Sequence, residues 1–189
     1  MKIFKNRQAA GKLLAQRFKR IKADLVLGIP RGGVVVAAEI AKELKLPLDV
    51  IITRKIGAPN QSELALGAID PDGEAVWDDQ LVDELGLKTE DLTETIREEL
   101  DELARRESVY RPDKGSLDME NKIVILADDG IATGSTILAA INFLKRHGVK
   151  KIILAVPVAS KESMDKVKRE MGEVGEVIVI ETPEYFGAV

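Results

Sequence analysis

Short apolar runs that alternate with helical segments constrain this chain more than any other feature. Asp24–Ile29, Leu48–Thr53, Lys122–Ala127, Lys151–Val158 and Val174–Glu181 each hold a nearly unbroken apolar stretch. Such runs are too short for a buried helix and lack the polar alternation of a half-exposed strand, so they read as strands covered on both faces. Between them, apolar residues recur at helical spacing. Ala9–Ile21 (through Leu13, Leu14, Phe18 and Ile21) has a basic outer face, and Val34–Leu44, Thr136–His147 and Lys161–Met171 follow the same period. Strand–helix alternation predicts an α/β fold: a three-layer, mainly parallel twisted sheet with helices on both faces. We expect one domain over residues 1–189.

The middle of the chain departs from that rhythm. Leu64–Ile69 reads as a strand, Asp70-Pro-Asp-Gly73 as a turn, and Glu74–Trp77 as a hairpin partner. Residues 79–107 read as helical, broken near Gly86 with Thr89 as a cap. Thirteen acids against four bases between Glu74 and Glu107 make this a solvated helical face. Composition excludes several classes of function. A net charge of −4 gives no general attraction to nucleic acid. With no cysteine and one histidine, disulfides, thiolate metal sites and a His-rich zinc site are excluded. That histidine, His147, stands before Gly148 at a helix end, where it suits the helix dipole. No apolar run approaches the roughly 18 residues of a membrane span, and the start lacks a signal-peptide core. A cytoplasmic location is expected.

In parallel sheets ligands sit beyond the carboxyl ends of the strands. The most informative such end is 123–139, Ile-Val-Ile-Leu-Ala-Asp-Asp-Gly-Ile-Ala-Thr-Gly-Ser-Thr-Ile-Leu-Ala. A strand ends in Asp128 and Asp129, a small-residue loop follows, and a helix begins. Small residues and a helix N-terminus leave backbone N–H groups open to a phosphate, and Thr133, Ser135 and Thr136 add hydroxyls. Two acids beside a phosphate repel it unless a cation or hydroxyl donors lie between them. They therefore suit Mg²⁺ or sugar hydroxyls. Two further strand ends belong to the same edge. Gly28-Ile-Pro-Arg-Gly-Gly33 sets glycine N–H groups beside a guanidinium, and Arg54-Lys55-Ile-Gly57 adds two cations.

The string Leu126-Ala-Asp-Asp-Gly-Ile-Ala-Thr-Gly-Ser-Thr136 resembles the phosphoribosyl-diphosphate (PRPP) signature of type I phosphoribosyltransferases. Segment 57–69 (Gly-Ala-Pro-Asn-Gln-Ser-Glu-Leu-Ala-Leu-Gly-Ala-Ile) and the ending Thr182-Pro-Glu-Tyr-Phe-Gly-Ala-Val189 resemble a branch of that family labelled "predicted phosphoribosyltransferase". The resemblance covers nearly the whole chain.

It implies transfer of a phosphoribosyl group from PRPP to a nitrogenous base, with release of pyrophosphate and with Mg²⁺ as cofactor. By resemblance, Asp128 and Asp129 hold the ribose hydroxyls and the metal, directly or through water, and are catalytic together with Arg31 and Lys55. Gly130, Ile131, Ala132, Thr133, Gly134, Ser135 and Thr136 hold the 5′-phosphate. Arg31, Gly32, Gly33, Arg54 and Lys55 bind pyrophosphate, Arg31–Gly33 looking like a loop that often has a cis peptide. A loop over 57–62 excludes water, and Glu63 is either a site acid or a strand-edge residue.

Tyr185 and Phe186 are the expected acceptor-binding pair, under a partial C-terminal hood that ends sooner than in the branch. Ala132 stands where enzymes for hypoxanthine and guanine carry Asp, so that acid–base device is absent and a 6-oxopurine is disfavoured. Relatives are commonly homodimers. Two other readings remain open: a PRPP- or nucleotide-binding regulatory module without turnover, and a receiver-like phosphate-binding domain. No basic DNA-binding segment supports a repressor, and the glycine-hydroxyl loop behind the acids suits PRPP better than a receiver.

Overall fold

A computed structural model describes residues 4–59, 61–112, 115 and 117–183. The chain folds as two compact units. One comprises Met1–Ile51, Leu117–Gly134 and Leu144–Val189, the other Ile52–Ser116 and Ser135–Phe143.

The first unit holds a five-stranded parallel sheet in the order β2-β1-β6-β7-β8. The strands are β1 (Leu25–Gly28), β2 (Leu48–Val50), β6 (Ile123–Ala127), β7 (Lys151–Val158) and β8 (Gly175–Glu181). Its helices are α1 (Arg7–Ala15), α2 (Gly32–Leu44) and α6 (Lys161–Met171). Leu14 and Phe18, with Val36, Ala37 and Ile40 of α2, pack on Val26, Ile125, Ala127, Ile153 and Ala155. The alternate positions Leu27, Val124, Leu126, Ile152, Leu154 and Val156 are buried too, so both faces of the sheet are covered as the apolar runs require. Helix α1 is capped by Asn6, whose Oδ1 accepts the Ala9 N–H at 2.8 Å. It ends sooner than its apolar spacing implies, because residues 16–18 tighten into a 3₁₀ turn.

The second unit is built on an antiparallel sheet, β3 (Arg54–Ala58), β4 (Gln61–Ile69) and β5 (Ala75–Trp77). Helices α3 (Asp79–Glu84) and α4 (Thr93–Tyr110) belong to it, as does most of α5 (Ser135–Arg146). Leu66 and Leu92 centre its core, with Trp77, Leu81 and Ile96 against them. The 70–73 turn closes as expected: Gly73 N–H donates to Asp70 O at 3.0 Å, while the buried Asp70 carboxylate accepts from Asp72 and Glu74 N–H.

Three expectations need correction. Strand β2 stops at Val50 rather than Thr53. Its partner β1 ends at Gly28, just before Pro30, which has no N–H to extend a ladder. Segment 57–62 is not a loop, because Gly57, Ala58, Gln61 and Ser62 belong to the strands of a hairpin. The residue preceding the 3₁₀ turn over 89–92 is Lys88, not Thr89, and the Lys88 N–H donates to the Asp91 carboxylate at 2.8 Å.

Candidate active site

The carboxyl end of β6 meets the start of α2. Asp128 is buried, its N–H donates to Ala155 O of β7 at 3.2 Å, and its Oδ1 accepts the Asp129 N–H at 2.8 Å. Asp129 thus lies just past the carboxyl end of β6, the central strand. Gly33 lies against this corner. A Cβ there would fall 2.7 Å from Ala127 O and 2.8 Å from both Asp128 Cα and Oδ1. A Cβ on Gly32 would overlap the Asp129 carboxylate and lie 2.7 Å from Arg7 Nε. The glycines of the 28–33 loop and the paired acids, read separately in the sequence, are therefore in contact. The Pro30–Arg31 peptide is cis. Arg31 is exposed at the α2 N-cap position, and its side chain makes no capping bond.

Arg7 is the residue that sequence reasoning missed. Its Nε donates to Asp129 Oδ2 at 2.6 Å, with side chains 49% and 18% exposed. The sequence held only an indirect signal, an arginine directly after the capping asparagine of the first helix. Beside this pair opens a cavity of about 300 Å³. Phe4, Asn6, Arg7 and Ala10 line one side, and Pro157 and Val158 at the end of β7 line the other.

The signature loop runs from Gly130 into α5, which begins at Ser135, one residue before the Thr136 start that the spacing implied. Ile131 anchors it: the side chain is 1% exposed, its N–H donates to Val158 O at 3.0 Å, and it bridges Ala159. That N–H is therefore engaged in the sheet and does not point toward a phosphate. Ala132 O accepts the Ser163 hydroxyl from α6. Gly134 has φ +85°, a conformation natural to glycine, just before the helix. Thr133 is exposed and Ser135 buried.

Arg54 and Lys55 open β3 in the second unit rather than ending a parallel strand. Arg54 is held by α4, its Nε and Nη2 lying 2.6 and 2.5 Å from Glu99 Oε2. Lys55, its neighbour on the opposite side of the strand, is exposed. Glu63 is exposed on β4. Tyr185 and Phe186 lie outside the described residues. No helix among the described residues is long and apolar enough to cross a membrane.

A strand that ends in paired acids, a glycine-hydroxyl loop leading into a helix, and glycines packed against the acids define an α/β fold of the phosphoribosyl transferase class. The chain belongs to the phosphoribosyl transferase domain family, whose model matches residues 2–185. It is similar to the Mycobacterium tuberculosis (strain H37Rv) protein Rv0571c, provisionally named a phosphoribosyl transferase. The two are 44% identical over 191 residues, covering 100% of this chain and 42% of that one. The chain thus spans less than half of that relative's length. Among solved structures it is similar to TT1426 from Thermus thermophilus, with TM-score 0.78 and 36% identity over 99% of this chain and 88% of that one. The purine phosphoribosyltransferase of Pyrococcus horikoshii shares the fold at 18% identity, with TM-score 0.50 over 97% and 92% of the two chains.

Proposed function

We propose that this chain transfers the phosphoribosyl group of PRPP to a nitrogenous base and releases pyrophosphate. The observation that supports the reading is the close approach of Gly32 and Gly33 to Asp128 and Asp129, with the glycines assigned to the diphosphate and the acids to the ribose. The acids accept hydrogen bonds from the ribose hydroxyls. Backbone N–H groups from Gly130 to Gly134, with Ile131 excepted, and the Thr133, Ser135 and Thr136 hydroxyls hold the 5′-phosphate at the α5 N-terminus. Arg31 and Lys55 are the cations for the diphosphate, with Gly32 and Gly33 giving it close backbone approach.

In the reaction the C1–oxygen bond breaks and its electron pair leaves with pyrophosphate. The nitrogen lone pair of the base forms the new bond to C1, and the proton on that nitrogen passes to pyrophosphate or water. The transition state has oxocarbenium character, so positioning and charge stabilisation do the catalysis. Among the described residues no group of three or more acid or histidine ligands is found. The two adjacent carboxylates fit Mg²⁺, which binds through one or two carboxylates and substrate phosphates while keeping waters. When bound, the ion offsets charge on the diphosphate. We further propose a homodimer, which light scattering measures.

Calorimetry with PRPP and Mg²⁺ tests the donor half. Wild type should bind and the Asp128→Asn, Asp129→Asn double variant should not; silence from wild type overturns the reading. Pyrophosphate release across a panel of bases tests turnover. Binding without base-dependent release would identify a regulatory module instead.

A further inference from the structure

The cavity beside Asp129 has two kinds of wall. Phe4, Pro157 and Val158 are apolar, while Asn6, Arg7 and the Asp129 carboxylate that Arg7 engages are polar. Asn6 Oδ1 is engaged by the Ala9 N–H, leaving its amide NH₂ as the group to meet a ligand. Arg7 uses Nε on Asp129, and among the described residues its terminal NH₂ groups have no other partner. The polar wall on α1 is therefore rich in donors. A donor-rich wall favours acceptor atoms, and a guanidinium fork favours a carboxylate above all.

Position points the same way. In PRPP the C2 hydroxyl is attached to the carbon next to C1. A carboxylate that holds ribose hydroxyls thus sits within one sugar's width of the incoming nitrogen, and the cavity shares Asp129 with that grip. A volume of about 300 Å³ lies at the small end of ligand pockets, the size for a single ring. Phe4 adds an aromatic surface for a planar heterocycle.

We propose that this cavity receives the base, and that Arg7 makes it selective for a single-ring nitrogen heterocycle bearing a carboxylate. The inference rests on the transfer reading above and adds the acceptor class. Arg7 holds the acceptor's carboxylate while Asp129, held at its other side by Arg7, keeps the ribose. The carboxylate is a handle and is unchanged by the transfer.

The test uses the full chain with Mg²⁺–PRPP and two sets of bases, pyridine and pyrimidine carboxylates and their amino-substituted counterparts. Pyrophosphate release should favour the carboxylates by at least about tenfold. Arg7→Gln should erase most of that preference through KM. Val158→Phe fills the cavity from β7. It should lower release by about tenfold or more while calorimetric PRPP affinity stays within about threefold. Normal PRPP binding with equal or better use of amino-substituted rings overturns the inference, as does unchanged release in Val158→Phe. If wild type fails to bind PRPP, calorimetry shows it directly and both readings fall together.

Discussion

Arg7 Nε donates to Asp129 Oδ2 at 2.6 Å, joining the first turn of the first helix to the second acid of the signature across 122 residues of sequence. Half-exposed pairs of this kind contribute between nothing and about 1 kcal/mol to stability. Arg7→Gln should therefore move Tm by no more than about 4 °C in a domain of this size. Its effect should appear instead in ligand affinity, because the pair orients a carboxylate assigned to the ribose. A melting curve and a PRPP titration on the same variant separate the two effects. A large loss of Tm with unchanged affinity would make the pair a structural strut.

Gly33 and Gly32 should respond differently to the same added methyl. In a helix, Gly→Ala is worth about 1 kcal/mol in favour of Ala. At Gly33 the new Cβ would meet backbone, Ala127 O at 2.7 Å and Asp128 Cα at 2.8 Å, neither of which yields without moving α2 off β6. Overpacking of that kind costs about 1–3 kcal/mol, so Gly33→Ala should lose stability on balance. At Gly32 the obstacles are the ends of two side chains, Asp129 and Arg7, which can swing aside. Gly32→Ala should keep its Tm and lose PRPP affinity. Urea unfolding and calorimetry on both variants check the contrast.

The difference between those glycines also marks what the sequence could show. The β6–loop–α5 segment was legible to within a residue, Thr136–His147 expected and Ser135–Arg146 found, because strand, loop and helix are adjacent and each signal is local. The five-stranded sheet was legible because its inner strands β1, β6 and β7 are apolar on both faces. What failed was long-range or depended on a partner's end. Arg7 looked like one more surface cation until folding brought Asp129 to it. Strand β2 ends early because β1 runs into Pro30, which no pattern within residues 48–53 encodes. The 57–62 stretch is polar, glycine- and proline-bearing, and so resembled a loop. It is a hairpin with a register shift at Gly57, where a Cβ would fall 2.6 Å from Ser62 O.

Arg54 and Lys55 separate a cation held by the fold from one left exposed. Both Arg54–Glu99 contacts converge on one carboxylate oxygen in a partly buried setting. Hydrogen bonds to charged groups there are worth about 1.5–3 kcal/mol. Arg54→Gln and Glu99→Gln should each destabilise by roughly that amount, and the double variant should lose less than their sum. Lys55→Gln changes an exposed side chain and should leave stability within about 0.5 kcal/mol. Weaker PRPP binding in Lys55→Gln, and not in Glu99→Gln, is the expected pattern. The reverse would return the diphosphate contact to Arg54.

Glu102 on α4 gives a pH signature. Arg105 donates to it through Nε and Nη2 at 2.6 and 2.9 Å, and Arg106 through Nε at 2.7 Å. Hydrogen bonds from Arg105 first, then from Arg106, lower its pKa from 4.5 to about 2. A lowered carboxyl pKa contributes stability that is present above about 4.5 and is lost as pH falls toward about 2. Because the pair lies at the surface and the Glu102 side chain is partly open to water, the contribution is small and screened by salt. A carboxyl-carbon NMR titration should give a midpoint near 2 for Glu102. Charge-neutral Gln at the same position should flatten the acid limb of the stability curve over that window.

Thr53 should gain from losing its hydroxyl. The residue is 6% exposed, and Oγ1 is buried without a hydrogen-bond partner among the described residues. It lies between the end of β2 and the start of β3, where the chain leaves one sheet ladder before entering another. An unsatisfied buried hydroxyl carries a desolvation penalty of about 1–3 kcal/mol, which nothing here offsets. Valine keeps the β-branched shape and replaces the hydroxyl with a methyl, so no cavity is left behind. Thr53→Val should stabilise by about 1 kcal/mol, raising Tm by roughly 2–4 °C in a chain of this length. Thr53→Ala removes the hydroxyl but also the methyl and should lose the gain through the void it leaves. Calorimetric melting of both variants decides it. A drop in Tm for Thr53→Val would mean that an ordered water or a ligand holds the hydroxyl.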